Sequence, residues 1–188
     1  MKIRYLVSTY YEALEKRKDY INNYEALAKK YIGQNYKLYD SIKCTNLKNP
    51  DQPFELAFTT TMPVEQVDNY LIIEPFSGYA LTENPLKEPD RKYPVDFTYN
   101  WSRTFSATLN IPEGYRLTSQ PENLVINDKN IRVVYTVSER EPGVLNILGL
   151  YHFKKDIYLS SDYQALKGYY DKIINKFNEK LTLEAVEI

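Results

Sequence analysis

Residues 91–115 read RKYPVDFTYNWSRTFSATLNIPEGY, and their alternation decides the fold. Pro94 has no amide hydrogen, so it belongs at a strand's first residue or on a sheet edge. Val95, Phe97 and Tyr99 then share one face of an extended chain. After Asn100–Trp101–Ser102 a second alternation places Phe105, Ala107, Leu109 and Ile111 on one side and Thr104, Ser106, Thr108 and Asn110 on the other. A period of two held this long marks a half-buried strand. Pro112–Glu113–Gly114 ends it. The stretch predicts two strands forming the central hairpin of an antiparallel sheet.

Outward from this centre the period changes twice. Towards the N-terminus, Leu6, Tyr10, Leu14, Ile21, Tyr24, Ala28 and Tyr31 recur at helical spacing. They predict helix over 5–32, with a break at Asn22–Asn23 and Gly33 closing it. From Tyr36 the pattern is extended. Two strands are expected across 36–61, joined by the turn cluster Asn49–Pro53, and a short one at Tyr70–Ile73. Four prolines between 75 and 94 mark an irregular connection, expected to be an ordered crossover between sheets. Leu124–Ile126 and Ile131–Val137 flank Asn127–Asp128–Lys129–Asn130, a hairpin signal. Val144–Leu159 is a long apolar strand with a break expected near Gly149 or at Lys154–Asp156. Ser161 with Gln164 fits a capping box, and Tyr163, Leu166, Tyr170, Ile173, Ile174 and Phe177 form a helical face. Leu181, Leu183 and Ala185 alternate in a final strand. The expected fold is mainly β: an antiparallel β-sandwich, jelly-roll or Greek-key-like, with an N-terminal helical segment and one C-terminal helix. Its expected division is a helical segment at 1–34 and a sandwich at 35–188 that includes helix 162–178.

The chain's 188 residues carry a net charge of −1 with no basic block, which disfavours nucleic acid as a partner. No apolar run approaches the length of a membrane span, and the first residues lack the apolar core of a signal peptide. Tyrosine is the compositional outlier, at 19 residues. Its apolar body and polar tip suit half-wet sheet faces, and equally sugar- or peptide-binding surfaces.

Cys44 and His152 are the only cysteine and histidine. A single cysteine permits no internal disulfide and no cysteine-rich metal site. The two could form a thiol–imidazole pair only if the fold joined them. Cys44 alternates with Leu38 and Ile42, which favours a small buried hydrophobe. The turn 127–130 holds oxygen ligands but lacks the count and the terminal Glu of a calcium loop. No phosphate loop, nucleophile elbow or zinc spacing is present, so no catalytic residue, metal or cofactor is assigned. The candidate binding residues are Tyr99, Trp101 and Tyr115. Trp101, with Tyr93, Phe97 and Tyr99, is either core or a subunit contact or, at a hairpin tip, a platform for sugar rings.

One ordered series has a counterpart. Asn84–Pro85, Arg91–Lys92–Tyr93–Pro94–Val95–Asp96–Phe97, Ile111–Pro112–Glu113–Gly114–Tyr115, and Asp162–Tyr163–Gln164–Ala165–Leu166–Lys167 followed by Tyr170 and Asn178–Glu179 together resemble the C-terminal domain of bacterial transglutaminase-like proteins. The resemblance runs from about residue 35 to the end. It implies a β-sandwich of unknown function attached to a papain-like transglutaminase core, in an exported, periplasmic or cell-surface protein. Catalytic Cys, His and Asp would then lie in an upstream domain, and Cys44 and His152 would not inherit their roles. The expectation is a non-catalytic accessory domain that positions the core or recruits substrate, with the core or another protein as partner. A carbohydrate-binding module using exposed Tyr and Trp is the alternative.

Overall fold

In a computed structural model of the protein, the described residues are 2–9, 43–46, 48–49, 51–52, 54–61, 64–76 and 79–186. They fall into two compact units, Met1–Val64 and Glu65–Ile188. The expected boundary after residue 34 lies outside the described residues.

In the first unit, β1 (Lys2–Thr9) pairs antiparallel with β3 (Phe54–Thr61) from Lys2↔Thr61 to Thr9↔Phe54, and β2 (Lys43–Thr45) pairs along the other side of β3. Residues 5–9 are therefore strand, not the start of a helix. Ile3, Tyr5 and Val7 explain this: β-branched and aromatic residues at alternate positions favour a pleated surface, and the helical stripe borrowed only Leu6 from this segment. The rest of the expected helix, 10–32, and the strand residues 36–42 lie outside the described residues. The turn between β2 and β3 is as expected, with the Asn49 amide donating to the Asn46 carbonyl at 3.0 Å and the Asp51 amide to Asn49 Oδ1 at 3.1 Å.

The second unit is mainly antiparallel β, as the alternation predicts. Its first sheet runs β4 (Glu65–Val67), β5 (Tyr70–Ile73), β13 (Leu181–Ala185), β8 (Tyr115–Ser119). Its second runs β7 (Trp101–Asn110), β11 (Val144–Phe153), β10 (Ile131–Glu141), β9 (Leu124–Asn127). A ribbon joins β6 (Val95–Asp96) to β12 (Ile157–Tyr158). A single turn of 3-10 helix, Ser160–Asp162, leads into α1 (Tyr163–Phe177). β4 was not legible as a strand, because three exposed residues carry no alternation. The tight Asp68–Asn69 turn that pairs Val67 with Tyr70, with Asp68 at φ 52°, was its only signal.

The opening stretch is not a hairpin. β6 pairs with β12, and β7 pairs with β11, from Trp101↔Phe153 to Asn110↔Val144. The chain turns between them because the Asp96 carboxylate accepts the Thr98 amide at 2.7 Å and Thr98 takes φ 68°. An Asx turn of this kind competes with continued pairing. Among the described residues β7 is accordingly an edge strand, not a central one.

Register explains the core. Tyr135, Gly149 and Phe105 are aligned across three strands, as are Val133, Tyr151 and Arg103, and Ile131, Phe153 and Trp101. This face carries fully buried Ile131, Val133, Tyr135, Ile147, Tyr151 and Phe153. Onto it α1 lays Tyr163, Leu166, Tyr170, Ile173 and Phe177, the predicted stripe apart from half-buried Ile174. Phe177 meets Phe105, Tyr135 and Tyr151 with ring centres 5.5–5.7 Å apart, and Tyr170 meets Phe153 at 4.9 Å. Each such side chain contributes about 1.5–3 kcal/mol on burial. Gly149 does not break β11, which ends instead at Lys154–Asp156.

The capping box does not form. Neither Ser161 nor Asp162 caps α1 through its side chain. Gln164 instead donates to the Pro89 carbonyl. The proline-rich connection 79–94 is thus an ordered strap along α1. Tyr163 Oη and Lys167 Nζ donate to the Glu88 carbonyl at 2.8 and 2.9 Å, and Asn178 Nδ2 to the Leu81 carbonyl at 2.7 Å. Asn84 Nδ2 donates to the Lys167 carbonyl and to Asp171, while its Oδ1 accepts the Leu86 amide.

Candidate interaction surface

The two faces of the β9–β10–β11–β7 sheet differ sharply. One is sealed by α1. The other alternates out of phase with it and carries Ser102, Thr104, Ser106, Thr108 and Asn110 on β7. On the inner strands of that outer face, polar residues give way to apolar ones. Register places Val125, Val134 and Leu150 side by side across β9, β10 and β11, with Leu148 one step along beside Thr136. Val125 is 68% exposed and Leu148 39%. Val134 and Leu150 are half-buried. Apolar residues on both faces made Val144–Leu159 read as one long apolar run, and the outer row was not separated from the core. Only the register separates them.

Within the second unit, Tyr99, Trp101, Tyr115 and His152 fall on different elements. Trp101 opens β7, half-buried, edge-on to Phe97 and Tyr151 at 6.1 and 5.6 Å and tilted on Phe153 at 5.0 Å. The Arg103 guanidinium lies 5.8 Å from the centre of the indole. Trp101 is therefore a strand residue seated among core rings, not a hairpin tip. Tyr99 is half-buried in the turn before it. Tyr115 begins β8 in the other sheet, opposite Ala185. His152 lies on the outer face of β11 between Ser102 and Arg132. Cys44 lies on β2 of the first unit, opposite Leu56.

The turn 127–130 is tied from within. Asp128 Oδ1 accepts the amides of Asn130 and Ile131 at 2.7 and 2.9 Å, and its other oxygen accepts the Tyr169 hydroxyl at 2.5 Å. Lys154 Nζ donates to Asn127 Oδ1 and to the Asp128 carbonyl, and Tyr158 Oη donates to the Asn130 carbonyl at 2.7 Å. Burial alone would raise the Asp128 carboxyl. The hydrogen bonds from Tyr169, Ile131 and Asn130, with the Lys154 charge, outweigh it and hold the carboxyl below its usual range. The Asp128 carboxylate, Asn127 Oδ1 and the Asp128 and Asn130 carbonyls are thus engaged in the hairpin, while Asn130 Oδ1 is buried without a partner among the described residues. Among the described residues no three His, Cys, Asp or Glu side chains are grouped to hold a metal. No helix among them is long and apolar enough to cross a membrane.

On the second sheet, Glu184 of β13 accepts Arg116 at 2.8 Å and Tyr70 at 3.2 Å. The Arg116 hydrogen bond outweighs an opposing burial effect and, with a further hydrogen bond from Tyr70, holds its carboxyl low, and Glu184 in turn raises the Tyr70 phenol. This exposed cross-strand cluster is internally neutralised.

Residues 68–183 match the family model of DUF3858, a domain of unknown function with solved structure. Among solved structures, one described as "a putative protease from Parabacteroides distasonis ATCC 8503" is similar, with a TM-score of 0.51 and 15% sequence identity. The similarity covers 62% of this chain and 24% of that one, so the chain spans about a quarter of that protein's length. At that identity the likeness is one of fold. No curated protein matches the chain. The family match takes in more than half of the sequence and most of the second unit, and the chain belongs to the DUF3858 family.

Proposed function

We propose that the chain is a non-catalytic accessory domain of an exported, transglutaminase-like protein, and that it positions the catalytic core or recruits its substrate. The observation that carries this reading is the outer row Val125–Val134–Leu150 with Leu148. A sheet sealed on one side by a helix has its core already. Apolar residues aligned on the other side serve contact with another surface. The similarity to a much longer chain described as a putative protease supports it, since there this fold occupies only a fraction of the polypeptide.

The test is calorimetric titration of the 188-residue chain against a transglutaminase-like core domain taken from a protein that carries a DUF3858 domain, alongside an assay of the chain alone for glutamine-donor turnover. Saturable binding that Val125→Asp and Leu148→Asp abolish, with their melting temperatures held, is expected. No binding, binding indifferent to both substitutions, or turnover by the isolated chain would sink the reading.

A further inference from the structure

We propose that β7 is a self-complementary edge through which two copies of this chain join into one continuous sheet. The inference is independent of the accessory role. Among the described residues the second unit has four sheet edges outside its ribbon, and three are blunted. β4 has three residues and β9 four. β8 has five, and its pairing with β13 slips register between Thr182 and Leu183. β7 is ten residues long, its pairing with β11 is unbroken, it contains no Pro or Lys, and Arg103 is its one charge. Among the described residues it pairs with β11 alone. Long regular edges of this kind are what proteins ordinarily disrupt or cover.

The direction of its free main-chain groups follows from the ladder. The Ile111 amide donates to the Gly143 carbonyl at 2.8 Å, continuing the β7–β11 register by one residue. In an antiparallel pair alternate residues bond the same neighbour. Odd-numbered residues of β7 therefore bond β11, and Ser102, Thr104, Ser106, Thr108 and Asn110 turn their N–H and C=O groups to the open edge.

Those five residues are arranged symmetrically about Ser106. An antiparallel two-fold pairing centred there sets Ser106 against Ser106, Thr104 against Thr108 and Ser102 against Asn110, and every outward donor and acceptor is used. Threonine pairs of this kind are favourable cross-strand neighbours. On the inner face the same register sets Phe105 against Ala107 and Arg103 against Leu109, a large ring beside a small side chain, with the two arginines kept apart. Trp101, Phe105 and Ala107 are half-buried now, and the second strand would cover them. The interface is isologous and closes on itself, as a two-fold dimer requires.

The experiment is sedimentation over a concentration series of the full chain, with amide exchange followed at β7. Expected is a reversible dimer, with the amides of Ser102, Thr104, Ser106, Thr108 and Asn110 protected only where the dimer is populated. Ser106→Pro removes two donors at the two-fold axis and should weaken dimerisation by roughly tenfold or more. Thr108→Lys, which leaves the β7 main chain intact, should do the same with an unchanged monomer melting temperature. A chain monomeric at all concentrations overturns the proposal. So does a dimer indifferent to Thr108→Lys, or protection of the five amides independent of concentration, which would mean that the edge is covered within one chain.

Discussion

A Cβ placed on Gly149 would lie 2.6 Å from Cε1 of Phe177 and 2.8 Å from Cε2 of Phe76. The gap left by one missing methyl is what lets Phe177 of α1 and Phe76, just beyond β5, reach the same point of the sheet. Gly149→Ala forces those rings apart and should cost about 1–3 kcal/mol, read as a drop in the urea midpoint. Phe177→Leu in the Gly149→Ala background should recover part of that loss, so that the two changes cost less together than their sum. Additive losses would show that the ring is not the obstacle.

Tyr135 is fully buried, and its hydroxyl has no hydrogen-bond partner among the described residues. Burial, with a smaller contribution from the Glu179 charge, pushes the phenol well above its ordinary value. Tyr135→Phe removes an unsatisfied polar atom and should stabilise the protein by about 1 kcal/mol. The sign with pH also follows. A phenol raised in the folded state keeps its proton longer than in the unfolded chain, so its share of stability is present below about pH 10 and lost above it. Tyr135→Phe should therefore unfold at higher pH than the wild type in an alkaline titration. An unchanged alkaline midpoint would contradict this.

Asp128 works in the opposite direction. Its carboxyl titrates lower in the folded protein than in the unfolded chain. The stability it contributes is whole above the unfolded carboxylate value and is lost as pH falls through the folded one. Asp128→Asn should be less stable than the wild type near neutrality, and the difference should shrink on acidification. Parallel stability curves for the two proteins would remove Asp128 from the acid response.

Thr98 holds φ 68°, a region β-branched residues avoid. Thr98→Gly keeps the Asx turn from Asp96, because that bond uses the main-chain amide. It should raise the melting temperature through relief of strain of about 1 kcal/mol. Thr98→Ala, which keeps a Cβ, should not. Equal effects of the two would place the strain elsewhere.

What could be read in the sequence was whatever one face of one element records. The stripe from Tyr163 to Phe177, the 127–130 hairpin and the strands at 70–73 and 181–185 each announced themselves locally. Pairing did not. The alternation within residues 91–110 does not say that β6 leaves for β12 and β7 for β11, because the bend at Asp96 interrupts it and the partner strands come some fifty residues later. The outer row was hidden for a related reason. Val134 and Leu150 sit in apolar runs, and only register shows that they share the outer side of the sheet. Residues 5–9 misled because Leu6 belongs to a helical spacing and a strand alternation at once.

The residues that carried the family resemblance turn out to be fasteners. Asn84 clasps α1, Asp96 bends the chain, Gly114 takes φ 79° in the turn before β8, and Asn178 closes the helix. Sequence similarity here recorded how the chain is tied, which is why it pointed to a fold more sharply than to a chemistry.

The strap from 79 to 94 is fastened chiefly by its own carbonyl groups, at Leu81, Glu88 and Pro89, while the side chains that grip it belong to α1 and the residue after it. Its path is thus written in the helix. Apart from Asn84, Asp90, whose carboxylate accepts Gln164 at 3.3 Å, and buried Leu86, the strap can change its lettering without changing its course. Relatives of this chain can therefore redecorate that ridge from one protein to the next, provided that the grip of Tyr163, Gln164, Lys167 and Asn178 stays.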